Sequence, residues 1–295
     1  METERLEESG MHQIVKDQVL TGERALFMQR DTVVENVVFE DGESPLKESV
    51  HVEVKESIFK WKYPLWYGEG SSISQSLLLD GARAGIWYTN DITVRDTTIQ
   101  SPKMFRRCRG INLERVDLPN AKETLWMCHD IKMNDVSAKG DYFAMNASGI
   151  RAIAYRLVGN YSFYGVKDVQ IENSHLISKD AFWNAENVVV KDSFISGEYI
   201  GWNSKNLTFE NCTIESHQGF CYIENLILRN CRLLTTDLAF EYCRELDVHV
   251  SSPIGSVKNP ISGVIRAQAI GEVIFDDPAI DPSKTSIEIV NTQSE

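Results

Sequence analysis

Apolar residues recur along the chain in the pattern apolar-x-apolar-x-(Asn/Asp)-x-x-apolar, which is clearest in the segments that start at Val169, Val188, Leu207 and Leu226. We take the second apolar residue of each segment as an anchor. Successive anchors are separated by an almost constant interval of about 19–20 residues, and a fixed period of this length indicates a repeat architecture. The twelve anchors are Val34, Val54, Ser74, Val94, Leu113, Met133, Ala152, Ile171, Val190, Phe209, Leu228 and Val248.

The positions around each anchor predict how one repeat is built. Apolar and polar residues alternate up to the anchor, which is the geometry of a strand. The position three residues before many anchors holds Asp, Asn or Gly, which form turns and tolerate a left-handed backbone. The position five residues after the anchor is apolar, as in Phe39, Ile99 and Ile214. Each repeat therefore predicts a turn, a short strand, a polar turn, an inward apolar residue and a second strand.

A repeat of this length is too short for a helix plus a strand, so we interpret it as one coil of a solenoid. The leucine-rich motif LxxLxLxxN and a six-residue period are both absent. A pentapeptide-repeat helix fits the apolar position after the anchor, but the two-residue alternation favours strands. The prediction is an all-β, single-stranded right-handed parallel β-helix of about 12 coils, each of about 19–20 residues, over positions 31–250. Residues 1–30 are then an N-terminal extension and cap, and residues 251–295 a C-terminal cap or tail.

Composition narrows the classes of protein. The chain has 295 residues and a net charge of −13 without a Lys/Arg-rich run, so we expect no nucleic acid partner. No apolar segment is long enough for a membrane span or shaped like a secretory signal, so we expect a cytoplasmic protein. The six cysteines form no CxxC motif and the histidines no metal-binding pattern, which predicts buried free thiols and no metal site from these residues.

Several runs resemble a bacterial family of unknown function with a pectin-lyase-like β-helix, over roughly residues 11–290. The resemblance implies the β-helix fold and no established reaction. Some members carry a hydrogenase label, but the CxxC pairs of a nickel or iron–sulfur centre are absent here. The runs include Gly22-Glu-Arg-Ala-Leu-Phe27, Tyr63-Pro-Leu-Trp66, Arg83-Ala-Gly-Ile-Trp-Tyr88, Ser178-Lys-Asp-Ala-Phe-Trp183 and Gln218-Gly-Phe-Cys-Tyr222.

Two aromatic-rich columns precede the anchors. The column eight residues before them, which includes Trp66, Phe182 and Phe220, is expected to point inward. Neighbouring strand residues point to opposite sides, so the column seven residues before the anchors should point outward. This outward column is Tyr67, Trp87, Arg106, Trp126, Met145, Tyr164, Trp183, Trp202, Cys221 and Glu241, and it holds four of the six tryptophans.

Charged residues lie ten or eleven positions before the anchors, beside the aromatic stripe. The apolar face of a sugar ring can stack on an aromatic side chain, and its hydroxyl groups can hydrogen-bond to charged side chains. The functional hypothesis is therefore a carbohydrate-binding or carbohydrate-active protein of lyase or hydrolase type. Sugar rings would stack on Trp87, Trp126, Tyr164, Trp183 and Trp202. Substrate carboxylates would meet Arg83, Arg106, Lys103 and Lys179. The catalytic acid and base, or alternatively the ligands of a Ca²⁺ ion, would be Glu123, Asp141, Asp180 and Glu198. In a lyase reaction the base would be Lys103 or Lys179.

Other interpretations of the same columns stay open. The aromatic stripe could be covered by a terminal segment or a second subunit, which would make the protein a structural or assembly module. The charged column could be a ladder of salt bridges between coils. Because GxGxxG, GxxxxGK[ST] and GxSxG are all absent, no motif decides whether the protein is an enzyme.

Overall fold

The computed structural model describes residues 13–290, which form a parallel β-solenoid with almost no helix. The only helices in this range are two short 3₁₀ turns, Asp80–Ala82 and Pro282–Lys284. The strands are β1 (Gln13–Leu20), β2 (Arg30–Phe39), β3 (Val50–Lys55), β4 (Ile58–Phe59), β5 (Leu65–Trp66), β6 (Ser72–Ser74), β7 (Leu77–Leu78), β8 (Ile86–Trp87), β9 (Asn90–Ile99), β10 (Arg109–Leu118), β11 (His129–Lys139), β12 (Ser148–Ile153), β13 (Arg156–Val158), β14 (Lys167–Glu172), β15 (His175–Ile177), β16 (Glu186–Lys191), β17 (Phe194–Ser196), β18 (Lys205–Glu210), β19 (Thr213–Glu215), β20 (Glu224–Leu234), β21 (Arg244–Val250), β22 (Pro253–Lys258), β23 (Gly263–Ala267), β24 (Ala269–Ile274) and β25 (Thr285–Ile289).

The coils stack in parallel with equivalent residues aligned, as for Leu207 and Leu226. This confirms the predicted class, but the solenoid has about 15 turns rather than 12. The winding extends beyond residues 31–250 at both ends, through β1 before β2 and through β23 and β25 after β21. The last anchors are Ile265 and Ile287. The step from Val248 to Ile265 is shorter than the repeat and the next step is longer, so the sequence period does not reveal them.

The assignment of Ser74 as an anchor is wrong by one residue. Ile73 pairs with Val54 on one side and with Val94 on the other, and it is 1% exposed. A one-residue shift moves every side chain of a coil to the opposite face. In this coil Leu65 therefore joins the buried column, and Trp66 joins the outward column in place of Tyr67. Five of the six tryptophans thus lie in the outward column.

Left-handed residues at the corners allow each coil to turn. The predicted turn position before the anchor is confirmed, for example by Asn187 with φ +59°. The Asn/Asp position after the anchor is also left-handed, as in Asn211 with φ +54°. The Asn211 side-chain amide donates to Asp192 Oδ1 at 2.9 Å and accepts from Asn230 Nδ2 at 3.0 Å. Stacked polar side chains therefore hold the corners of successive coils together.

The side of the coil that carries the aromatic columns is mostly a series of turns, so the predicted second strand is wrong there. Every second residue here has a left-handed backbone: Asp180, Phe182 and Asn184 have φ between +54° and +61°. Two neighbouring residues, Ala181 and Phe182, point inward, and the next two, Trp183 and Asn184, point outward. The predicted inward column, with Phe182 and Phe220, is nevertheless buried as expected, except at Trp66.

The six cysteines are free and buried, which confirms the prediction of free thiols. Neither helix in residues 13–290 is long and apolar enough to cross a membrane.

Candidate functional site

The outward column forms a stacked ladder that we call the aromatic stripe, defined by Trp66, Trp87, Arg106, Trp126, Met145, Tyr164, Trp183 and Trp202. The rings of Trp66 and Trp87 are parallel, with centroids 5.2 Å apart and an interplanar angle of 6°. The Arg106 guanidinium lies 4.6 Å from the ring centroids of both Trp87 and Trp126. Stacking therefore continues without a gap over four coils.

The indole rings are also held at their edges. Trp87 Nε1 donates to the carbonyl of Lys103 at 2.8 Å, and Trp183 Nε1 donates to that of Tyr199 at 2.8 Å. In the first half of the stripe, Trp87 lies between the Trp66 ring and the Arg106 guanidinium, so both faces of its indole are covered. In the second half, the Trp202 ring lies 5.8 Å from that of Trp183 at an angle of 34° and 4.6 Å from that of Tyr222 at an angle of 44°. Neighbouring side chains therefore cover ring faces in both halves of the stripe.

Three of the predicted site residues form an ionic cluster that supports the stripe. Glu123 Oε2 lies 3.2 Å from Lys103 Nζ and 3.4 Å from an Arg106 guanidinium nitrogen. Glu123 and Arg106 are both half-buried, and Arg106 Nε is a buried atom without a hydrogen-bond partner. The salt-bridge interpretation of the charged column describes this part of the structure well.

The charged column consists of two neighbouring columns rather than one. The first holds Lys103, Glu123 and Asp180, and its backbone N–H groups donate to the carbonyls of the second column in the next coil. Glu123 N donates to Asp141 O at 3.0 Å, and Asp180 N donates to Glu198 O at 2.9 Å. Tyrosines occupy the remaining central positions of the first column. The second column runs through Arg83, Lys122, Asp141, Asn160, Lys179, Glu198, His217 and Asp237.

Asp180 is only 2% exposed, so it does not face solvent as a catalytic group would. Burial is the main cause that raises the pKa of its carboxyl above the ordinary value, and the nearby Glu198 acts in the same direction. Lys179 and Tyr161 partly oppose this shift in pKa. The predicted acids and bases Asp141, Lys179 and Glu198 are more exposed to solvent than Asp180.

The second column borders an open groove of about 650 Å³, which we call the lysine groove. Its floor is backbone at glycine positions, because a Cβ on Gly159 would come within 2.1 Å of the Gly140 carbonyl oxygen. Val158 and Ile177, which are 47% and 44% exposed, add apolar surface. The groove is lined by Pro119, Asn120, Lys122, Lys139, Gly140, Asp141, Val158, Gly159, Asn160, Ile177, Lys179, Ser196, Gly197 and Glu198.

The lysines of this groove differ from most lysines of the protein. All fifteen lysines lie within residues 13–290, and ten of them form ion pairs with carboxylates. Three of the five without an ion pair in this range are Lys122, Lys139 and Lys179, and the other two are Lys132 and Lys284. The groove therefore gathers cationic groups that form no ion pair with a carboxylate of the described chain.

The two carboxylates of the groove are held by backbone groups. Asp141 Oδ1 accepts a hydrogen bond from Asn160 N at 2.8 Å. Glu198 accepts from His217 N at 3.0 Å and from Gln218 N at 2.7 Å. These bonds keep both carboxylates in fixed positions beside the lysines.

A second depression of about 530 Å³ continues along the same face of the next coils, where His217 and Asp237 contribute to its wall. A hydrogen bond from the Ser256 hydroxyl lowers the pKa of Asp237. The groove and this depression together follow the axis of the solenoid.

The structure thus divides the predicted site residues. Asp141, Lys179 and Glu198 line the groove, Lys103, Glu123 and Arg106 support the stripe, and Arg83 lies in the second column outside the groove. Sequence reasoning missed Lys122 and Lys139. Lys122 lies one coil before Asp141 in the second column. It could have been found if the residues eleven positions before the anchors had been considered apart from those ten positions before them. Lys139 is the last residue of β11, outside the aromatic and charged columns that the sequence marked.

In residues 13–290 no three His, Cys, Asp or Glu side chains come together in a way that could hold a metal ion. The Ca²⁺ hypothesis therefore stays a prediction without a candidate site.

Comparisons with known proteins identify a family. A family model described as "Protein of unknown function (DUF3737)" matches residues 13–288. No curated protein matches the sequence.

Solved structures with a similar fold are about 10% identical in sequence to this chain. The A-module of mannuronan C-5 epimerase AlgE4 from Azotobacter vinelandii is 10% identical with a TM-score of 0.47, covering 81% of this chain and 91% of the module. PfbA, a surface adhesin of Streptococcus pneumoniae, is 9% identical with a TM-score of 0.43, covering 88% and 84%. The catalytic domain of a GH87 α-1,3-glucanase in complex with tetrasaccharides is 10% identical with a TM-score of 0.41, covering 94% and 64%. Similarity at this level concerns the fold alone.

Proposed function

We propose a function for the lysine groove on the premise that the chain belongs to the DUF3737 family of proteins of unknown function and is a right-handed β-helix solenoid. The proposal is that this groove binds an acidic oligosaccharide. One observation carries it: three of the five lysines without an ion pair in residues 13–290 lie together in an open groove of a protein whose net charge is −13.

The shape of the groove supports an extended chain as the ligand. Equivalent positions repeat at the spacing of parallel strands, about 4.8 Å, which is close to the length of one sugar ring. Each coil can therefore present the same kind of contact to successive sugars. A shallow groove that follows the solenoid axis suits a linear ligand better than a compact one.

The chemistry of the lining supports a sugar with carboxylate or sulfate groups. Lys122, Lys139 and Lys179 can neutralise these anions. Asn120 and Asn160 can donate to and accept from hydroxyl groups. Val158 and Ile177 offer apolar surface to the C–H faces of sugar rings. Duplex nucleic acid is a poorer fit, because it requires a larger cationic surface than three lysines beside two carboxylates.

The two groove carboxylates would define the position of the ligand. Asp141 and Glu198 are hydrogen-bonded to backbone N–H groups and can accept bonds from sugar hydroxyls. They would also repel a ligand whose anions are closely spaced. If the bound sugar reacts, we expect it to exchange protons with Asp141, Lys179 or Glu198, because Asp180 is buried.

The test compares acidic with neutral oligosaccharides by isothermal titration calorimetry. Oligogalacturonate, heparin-derived oligosaccharides and neutral cello-oligosaccharides are the probes. We expect at least one acidic probe to bind and the triple variant Lys122→Gln, Lys139→Gln, Lys179→Gln to bind it at least about tenfold more weakly, since each surface charge contributes modestly. Added salt should weaken binding by the native protein more than by the variant.

The chain itself offers a matched control. The double variant Lys132→Gln, Lys284→Gln removes the two lysines that also lack an ion pair but lie outside the groove. It should bind as the native protein does. Equal binding by the triple variant, or no binding of any acidic probe at millimolar concentration, would refute the proposal.

A second candidate function is a protein interface on the aromatic stripe. Its ring faces are largely covered by stacking and its edges are exposed, and aromatic residues are enriched in protein interfaces. Iodide quenching of tryptophan fluorescence, measured in associated and dissociated samples, distinguishes the candidates. Association through the stripe would protect Trp183 and Trp202 from iodide, whereas a glycan in the lysine groove would not require association.

A further inference from the structure

The two ends of the solenoid each present a strand edge. Within residues 13–290, β1 pairs only with β2, and β25 pairs only with β23. Both are parallel strands of the same continuous sheet. An open strand edge is a template for pairing with another chain.

The interior of the last coil is exposed at its open side. Ile289 aligns with Ala267, which in turn follows Val250 in the same column. Val250 and Ala267 are fully buried, whereas Ile289 is 56% exposed. The exposure of Ile289 arises because no further coil covers it in the described chain. At the opposite end the inward residue Val15 is 7% exposed, and Ile14, on the outer face of β1, is 65% exposed.

The residues directly after the anchors form a mostly charged column, and its charges at the two ends of the solenoid are opposite in sign. Neighbouring members of this column pair as Lys16 with Glu35, as Lys191 with Glu210 at 2.7 Å and as Arg266 with Glu288 at 2.9 Å. Within the described residues 13–290, the column begins with a cation at Lys16 and ends with an anion at Glu288. Placing β25 of one copy on β1 of another would continue the register, with Ile287 on Val15, Glu288 on Lys16 and Ile289 on Asp17.

We propose that copies of this chain stack head to tail, with β25 of one copy pairing in parallel with β1 of the next. The interface consists of backbone hydrogen bonds between the two edges, apolar contact between Ile287 and Val15, and an ion pair between Glu288 and Lys16. Because the two surfaces differ, the contact is heterologous and leaves an open end on every assembly. This inference does not depend on the lysine groove or on the aromatic stripe.

Charge reversal at the two ends tests the proposal in the full-length protein. Light scattering and sedimentation velocity over a concentration series should show native molar mass rising with concentration. Lys16→Glu opposes two carboxylates at the contact, and Glu288→Lys opposes two ammonium groups. Each variant alone should associate about tenfold more weakly at low salt. A mixture of the two variants should recover association, because each variant then meets the opposite charge on the other.

Recovery of association in the mixture of the two variants distinguishes a head-to-tail contact from other contacts. A head-to-head contact predicts no such recovery. The reversal Lys191→Glu, Glu210→Lys at a central ion pair of the same column is the control and should associate as the native protein does. Circular dichroism and the melting temperature verify that every variant is folded. A native protein that stays monomeric at all concentrations, or single variants that associate normally, would overturn the proposal.

Discussion

At the scale of single residues, Arg106 has the most unusual environment. Its guanidinium lies between two indole rings at 4.6 Å from each centroid and reaches Glu123 at 3.4 Å. A planar cation can stack on two aromatic faces at once, which a lysine ammonium cannot do. Arg106 therefore continues the ring stack through a coil that has no aromatic residue at this position.

We predict that Arg106→Lys lowers the free energy of unfolding by about 1–2 kcal/mol although the charge is kept, because the stacked plane is lost. Urea denaturation followed by tryptophan fluorescence measures the change. The control is Arg109→Lys, at an exposed ion pair with Asp130, where the expected change is within about 0.5 kcal/mol. Equal losses for both variants would contradict the role of stacking.

At the scale of the coil, one corner depends on buried hydroxyl and thiol groups. Ser174 Oγ donates to the Glu172 carbonyl at 2.7 Å and accepts from Tyr155 N of the preceding coil at 3.0 Å. The backbone N–H of Tyr155 at this corner donates to the Ser174 hydroxyl instead of to a strand of the neighbouring coil. A buried N–H group without a hydrogen-bond partner would lower the stability of the fold. The same column also contains Ser57, Ser76, Thr97, Ser193, Cys212 and Cys231.

Ser174→Ala should cost about 1–3 kcal/mol of unfolding free energy, because it leaves Tyr155 N without a partner. Ser174→Cys should cost less, since Cys212 and Cys231 occupy the same position in later coils. Thermal or urea unfolding measures both. Ser72→Ala, on the outer face of a strand, is the control and should change stability little. A Cys variant as unstable as the Ala variant would argue against a hydrogen-bonding role for this column.

At the scale of the whole molecule, each coil contacts mainly its two neighbours. Stability in such solenoids is approximately a sum of the stabilities of coils and of the interfaces between them. Terminal coils have one neighbour and central coils have two. The interior is continuous from Val15 to Ala267, so a local opening is easiest at the ends.

Hydrogen exchange measured by mass spectrometry should therefore show a gradient along the axis. We predict that the central strands β10 and β11 exchange slowest and that β1 and β25 exchange fastest in dilute samples. Protection that is uniform from end to end would mean that the coils unfold as one unit. If end stacking occurs, protection of β1 and β25 should rise with concentration, whereas that of β10 should not.

Much of this architecture could be predicted from the sequence because every coil encodes its own turns and its own buried face. Asn187 and Asn211 mark left-handed corners by residue type alone, and the alternation around Val190 and Phe209 marks strands. The anchor at Ser74 is wrong because the spacing between coils is irregular there. The step from Ile73 to Val94 is longer than the steps on either side of it, and a constant period places the register one residue too late.

The parallel winding, the buried column through Phe182 and the outward position of most tryptophans depend on local periodicity, so the order of residues is enough to infer them. The position of Arg106 between two indoles, the burial of Asp180 and the groove shared by Lys122, Lys139 and Lys179 are apparent only in the folded chain. These features depend on contacts between side chains of neighbouring coils, on turns that place two adjacent residues on the same side, and on which charged groups find a partner in the next coil. None of these is fixed by the type of one residue and its neighbours along the chain.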